Sequence, residues 1–185
     1  MGLTILNKRA EQSIGARLYV SAPPEDLYAA VLDVRGFPRW APGVRRVEIV
    51  EGPVGPGMVS EWEVSVLGLR SKVRSVLEEA EPFGFLRWSC DGPVRGWGEC
   101  EISALGHGAM AAFTTELRPE DPTLNKLAGI AAASGAATTH LKRCLARLGQ
   151  TVSETGGFRV VSNQSAVSCG LSASPRLAEA GGAGE

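Results

Sequence analysis

The segment that most constrains this 185-residue chain is its last run with helical period, residues 121–148. Asp121 can cap a first turn and Pro122 suits the first helical position. Leu124, Leu127, Ile130, Ser134, Thr138, Leu141, Leu145 and Leu148 then recur at three- and four-residue steps on one face. Lys142, Arg143 and Arg147 complement the dipole near the end, and Gly149 is placed to stop the helix. A continuous helix of that length would run about 40 Å, the span of a small domain. The short apolar runs that precede it are expected to pack around it.

The middle of this segment, residues 128–137, reads Ala-Gly-Ile-Ala-Ala-Ala-Ser-Gly-Ala-Ala and carries almost no side-chain volume. Interiors pack to crystal-like density. Such a helix therefore either lies very close to its neighbours or borders a cavity, and Ser134 and Thr138 would put hydroxyls into that space.

Upstream, residues 16–21 (ARLYVS) alternate and read as a strand, Pro23 and Pro24 end it, and Leu27, Tyr28, Val31 and Leu32 form the apolar stripe of a short helix before Gly36. A second short piece, Phe37-Pro38-Arg39-Trp40, breaks at Pro42 and Gly43. Six strands follow, at 44–51, 58–67, 69–79, 85–90, 94–103 and 109–117, separated by turns at 52–57, Gly68, 82–84, 91–93 and 106–108. Alternation sets Ser60, Trp62 and Val64 against Glu61 and Glu63, and Ser71, Val73, Ser75 and Leu77 against Arg70, Lys72 and Arg74. The charged sets are expected to meet across a hairpin on the solvated face.

A formal net charge of −1 gives no electrostatic reason to expect nucleic acid or an anionic membrane as partner. No apolar run reaches the ~20 residues of a membrane span, and the start lacks the apolar block of a signal peptide, so a cytoplasmic location is expected. Cys90, Cys100, Cys144 and Cys169 have no metal-ligand spacing and read as buried thiols. No metal, cofactor, catalytic triad or phosphate-loop motif is indicated.

The element order, the stretch Val20-Ser21-Ala22-Pro23-Pro24-Glu25-Asp26-Leu27-Tyr28-Ala29-Ala30-Val31-Leu32-Asp33, the following Phe37-Pro38-Arg39-Trp40-Ala41-Pro42-Gly43-Val44, the Gly55-Pro56-Gly57 turn and the 76–82 strand end resemble the polyketide cyclase/dehydrase and lipid-transport branch of the START-like (SRPBCC) superfamily. The resemblance covers about residues 15–150. It leaves residues 1–14 as a short leader and 151–185 as a disordered tail, with the patch at 158–161 as a possible addition to a sheet edge. It implies an α+β helix-grip fold: a seven-stranded curved antiparallel sheet wrapped around a long C-terminal helix, two short helices between strands 1 and 2, and a deep pocket between sheet and helix.

Candidate pocket residues are Trp40, Trp62, Val73 and Trp88 from the sheet side, with Ile130, Ser134, Thr138 and Leu141 from the helix. Aromatic walls with a few polar groups suit a hydrophobic small molecule such as a lipid, isoprenoid or polyketide. If the chain is instead a polyketide aromatase/cyclase, promoting aldol cyclisation and dehydration by holding reacting carbons close, Arg87 and His140 are the candidate catalytic residues. Arg87 would have to face inward to serve. Both functions stay open on the sequence, as does the oligomeric state.

Overall fold

The computed structural model describes residues 13–66, 69–153 and 157–162. The elements are β1 (Ile14–Val20), α1 (Pro24–Leu32), a 3-10 turn (Val34–Gly36), α2 (Phe37–Trp40), β2 (Val44–Glu51), β3 (Val59–Val66), β4 (Leu69–Glu81), β5 (Phe85–Asp91), β6 (Val94–Leu105), β7 (Gly108–Pro119), α3 (Pro122–Ala133), α4 (Ala136–Val152) and β8 (Phe158–Ser162). The strands form one antiparallel sheet of order β2-β3-β4-β5-β6-β7-β1-β8. The seven expected strands are all present within a few residues of their expected ends. The expected turn at Gly68, most of the leader, residues 163–185 and Cys169 lie outside the described residues.

The sheet curves around α4, and period-two alternation decides which side chains it buries. On β1, Ala16, Leu18 and Val20 are buried while Arg17 is exposed. Their cross-strand partners on β7, Phe113, Ala111 and Ala109, are buried with them. Leu145 and Leu148 of α4 and Leu27 of α1 complete this core with no exposed surface, each contributing about 1.5–3 kcal/mol by burial. The opposite face is charged as expected. Glu61 stands opposite Arg74 and Glu63 opposite Lys72, while Arg74 reaches across to Glu51 at 3.2 Å. These pairs are exposed and stabilise little.

Two expectations are corrected. The helix of residues 121–148 is not continuous: α3 ends at Ala133, Gly135 adopts a left-handed φ of +74°, and α4 starts at Ala136. Asp121 does cap α3, its Oδ1 accepting from the Thr123 N–H at 2.9 Å. The small residues around the break offer too little packing to hold a straight helix through two glycines, so Gly135 takes the terminating conformation that favours it. Nor does Gly149 stop the second helix, which runs on to Val152.

The reason for the second correction is the eighth strand. Phe158–Ser162 falls in the expected tail, at the patch singled out there for addition to a sheet edge, and pairs antiparallel with β1, from Val20↔Phe158 to Ala16↔Ser162. Gly149 is buried inside α4, and the Phe158 ring fills the space its missing side chain leaves. A glycine in a helix interior is thereby retained for packing rather than for termination.

Candidate ligand cleft

The strand register assembles the inner face residue by residue. One row crosses it as Leu117 (β7), Gly96 (β6), Cys90 (β5), Ser75 (β4), Ser60 (β3) and Ile49 (β2). Its centre is made of small side chains, and the hydroxyls are turned into the sheet. Ser75 Oγ donates to the Ser89 carbonyl at 2.9 Å, and Ser60 Oγ accepts from Trp62 Nε1 at 2.8 Å. A neighbouring row runs Thr115, Gly98, Trp88, Leu77. Trp88 lies directly on Gly98: a Cβ there would stand 2.4 Å from the indole Cζ2. The ring is thus laid against the sheet at Gly98 and packs on the buried core.

Aromatic side chains close one end. The α2 residues Phe37 and Trp40 pack with ring centroids 4.1 Å apart and planes tilted by 45°, and Phe37 meets Trp62 edge-on at 4.7 Å. Trp62 in turn pairs with buried Val73 across β3 and β4. Four of the sequence-selected residues, Trp40, Trp62, Val73 and Trp88, therefore share the inner side of the sheet, the first three as one cluster.

The helix side divides at Gly135. Thr138 and Leu141 of α4 are half-buried, and Leu141 packs on the core. Ile130 on α3 is 62% exposed and Leu127 41%, and on β7, against which α3 packs, Leu117 is 50% exposed. Ser134 is exposed in the break, its Oγ bonded to the Ala131 carbonyl at 3.2 Å. Of the four expected helix-wall residues, Leu141 packs on the core, Thr138 is half-buried, and Ile130 and Ser134 are exposed.

The two candidate catalytic residues are brought neither to this face nor to each other. Arg87 alternates with inward Leu86 and Trp88, so it points outward, where its guanidinium pairs with Glu79 at 2.7 Å and Glu99 at 4.0 Å and lies over the Phe85 ring. His140 is exposed on α4, on the side it shares with Arg143 and Arg147. The condition for Arg87 to hold a substrate carbonyl, an inward face, is not met.

Sequence reasoning did not select Ser60, Ser75, Cys90, Gly96 and Gly98, which complete the inner face. The signal that finds them is small side chains at inward positions of four consecutive strands, which becomes a row only once register is known. Electrostatically the face is neutral: no strand residue in these rows is charged. Burial pushes the thiols of Cys90, Cys100 and Cys144 above their ordinary range, with a Ser75 hydrogen bond partly offsetting this at Cys90. They are neutral, weakly reactive groups. Among the described residues no three His, Cys, Asp or Glu side chains converge as a metal site. No helix of the described residues is long and apolar enough to cross a membrane. An open recess of about 360 Å³ lies elsewhere, bordered by Tyr19, Leu105, Phe158 and Arg159.

A curved antiparallel sheet closed on a C-terminal helix, with a neutral, aromatic-ended inner face, defines a helix-grip domain of the START-like (SRPBCC) superfamily. Residues 11–153 match the family described as polyketide cyclase / dehydrase and lipid transport, and the chain belongs to it. Among solved structures, the chain is similar to the Zhui aromatase/cyclase from Streptomyces sp. R1128, at 18% identity and a TM-score of 0.62 over 76% of this chain and 95% of that one. A protein from Thermus thermophilus aligns at 20% identity and a TM-score of 0.62, covering 76% and 96%. A START superfamily protein from Mycobacterium smegmatis aligns at 16% and 0.60, covering 76% and 99%. At these identities the likeness is one of fold. Comparison with curated protein sequences gives no significant match.

Proposed function

We propose that this chain binds a hydrophobic small molecule, of lipid, isoprenoid or polyketide type, between the inner face of the sheet and the α3–α4 segment. The observation that carries this reading is the uncharged row of small side chains from Gly96 to Ser60, flanked by Trp88 and Trp62, with apolar Leu117, Leu127 and Ile130 left exposed around the junction of β7 and α3. Exposed apolar clusters on a protein surface mark binding sites more often than accidents, and each Å² of ligand surface buried there is worth about 25 cal/mol.

The test is native mass spectrometry of the purified protein, before and after denaturation, on wild type and on Leu117→Glu. The expected result is a released molecule near one-to-one from wild type and none from the folded variant, whose new charge sits at the half-exposed rim. A wild-type protein that carries nothing, and takes up neither a free fatty acid, an isoprenoid alcohol nor an aromatic ketone, overturns the proposal.

The family match supports a second reading, a polyketide aromatase/cyclase. On this reading the cleft holds a poly-β-ketone in the geometry for aldol closure and excludes water. The outward Arg87 and the exposed His140 supply no acid or base to it, which is why simple binding is preferred. Unchanged cyclised product from Arg87→Ala and His140→Ala would retain the cyclase reading while removing both residues from it.

A further inference from the structure

Trp40 is only 5% exposed, and its indole Nε1 is out of solvent with no hydrogen-bond partner. Buried donors are nearly always satisfied, and the nearby Trp62 donor is, through Ser60. Trp40 ends α2 and packs at a tilt on the Phe37 ring, which also meets the Trp62 ring, so its idle donor belongs to the aromatic group at that end of the inner face.

We propose that Trp40 Nε1 donates a hydrogen bond to the bound molecule, and therefore that the ligand carries a neutral oxygen acceptor, a ketone, ester or ether, at the end that reaches this aromatic group. The inference rests on the ligand-cleft reading and narrows it. Nε1 has no surface open to bulk solvent, so a ligand acceptor that meets it has to displace apolar neighbours. A hydrocarbon would leave the donor as it is. A carboxylate would bring a charge to a face whose strand rows hold no cation, since Arg87 points the other way. A neutral oxygen satisfies the donor without that penalty. The α2 element is four residues long and has no side-chain cap, so it can yield to admit the ligand.

The experiment uses two probes of one shape, fluorene and 9-fluorenone, which differ by a carbonyl oxygen. Their affinities are measured by fluorescence titration against wild type and Trp40→Phe. Wild type should prefer fluorenone, and the variant should bind fluorenone about fivefold more weakly, a loss of about 1 kcal/mol, while fluorene stays within about twofold. In parallel, the wild-type indole N–H resonance of Trp40 in nitrogen-15-labelled protein should move with fluorenone and not with fluorene, which tests the donor even if the variant misfolds. Equal loss for both probes, or equal resonance shifts, makes Trp40 a wall and overturns its role while leaving the cleft. Failure of wild type to bind either probe overturns this inference, and the cleft reading falls with it only if the protein also takes up neither a free fatty acid nor an isoprenoid alcohol.

Discussion

Phe158 occupies the notch that Gly149 leaves in α4: a Cβ at Gly149 would lie 2.7 Å from Phe158 Cγ. That contact joins a strand added after the helix to the helix itself, and it sets two preferences against each other. Alanine is the better helix former by about 1 kcal/mol, but here its methyl group would collide with a ring held by pairing to β1. Gly149→Ala is therefore expected to destabilise the protein by about 1–2 kcal/mol in urea unfolding. Adding Phe158→Ala should recover part of the loss, a coupling that a double-mutant cycle reads directly. Additive losses would show that the ring does not need the notch.

Gly98 holds Trp88 flat in the same manner. Gly98→Ala places a methyl group within 2.4 Å of the indole, so the ring has to lift. The expected outcomes are a lower melting temperature, a shifted tryptophan emission maximum and weaker uptake of a flat probe such as fluorenone. An unchanged emission spectrum would mean that the ring already stands clear of the sheet.

At Gly135 the issue is backbone conformation. A φ of +74° penalises any residue with a Cβ by about 1–2 kcal/mol, and asparagine tolerates it best. Gly135→Ala should lose about 1 kcal/mol and Gly135→Asn less than half of that. If Gly135→Ala instead keeps its stability and gains helical circular dichroism, the break between α3 and α4 has closed into one helix.

The strands were legible because their alternation is strict and their turns are punctuated by Gly, Pro and Asp. Even the charged face opposite Val73 and Ser75 follows from that period. The break at Gly135 was not legible, since the three- and four-residue spacing runs through it unaltered, and what ends α3 is the lack of side-chain volume to pack. Strand β8 was legible only as a patch for a sheet edge: Phe-Arg-Val-Val-Ser is short, and what fixes it, pairing with β1 and the notch at Gly149, is invisible to a local pattern. The alternation around Arg87 was plain, but the direction of the face was settled only by the burial of Leu86. The aromatic members of the inner face could be picked out by type. Its small members could not, because serines and glycines acquire meaning there only from register.

Two buried thiols and one half-buried thiol give a pH dependence of definite sign. Cys90, Cys100 and Cys144 all have their pKa raised from the ordinary 9.0 by burial, so the native state keeps protons that the unfolded chain gives up. Stability is full below about pH 8 and falls as pH rises past 9, by up to about 1.4 kcal/mol per pH unit for each thiol. Cys100→Ala should make that alkaline slope shallower, whatever it does to stability at pH 7. A slope that steepens in the variant would contradict the assignment.

With β8 in place, β1 has a neighbour on both sides, and the family match stops at residue 153, before that strand begins. A protein trimmed to the family boundary would bare the hydrogen-bonding edge of β1 and uncover the Gly149 notch at once. It would be a sticky, self-associating fragment rather than a minimal domain, and the segment that looks most dispensable by homology is the selvedge that keeps the sheet from fraying.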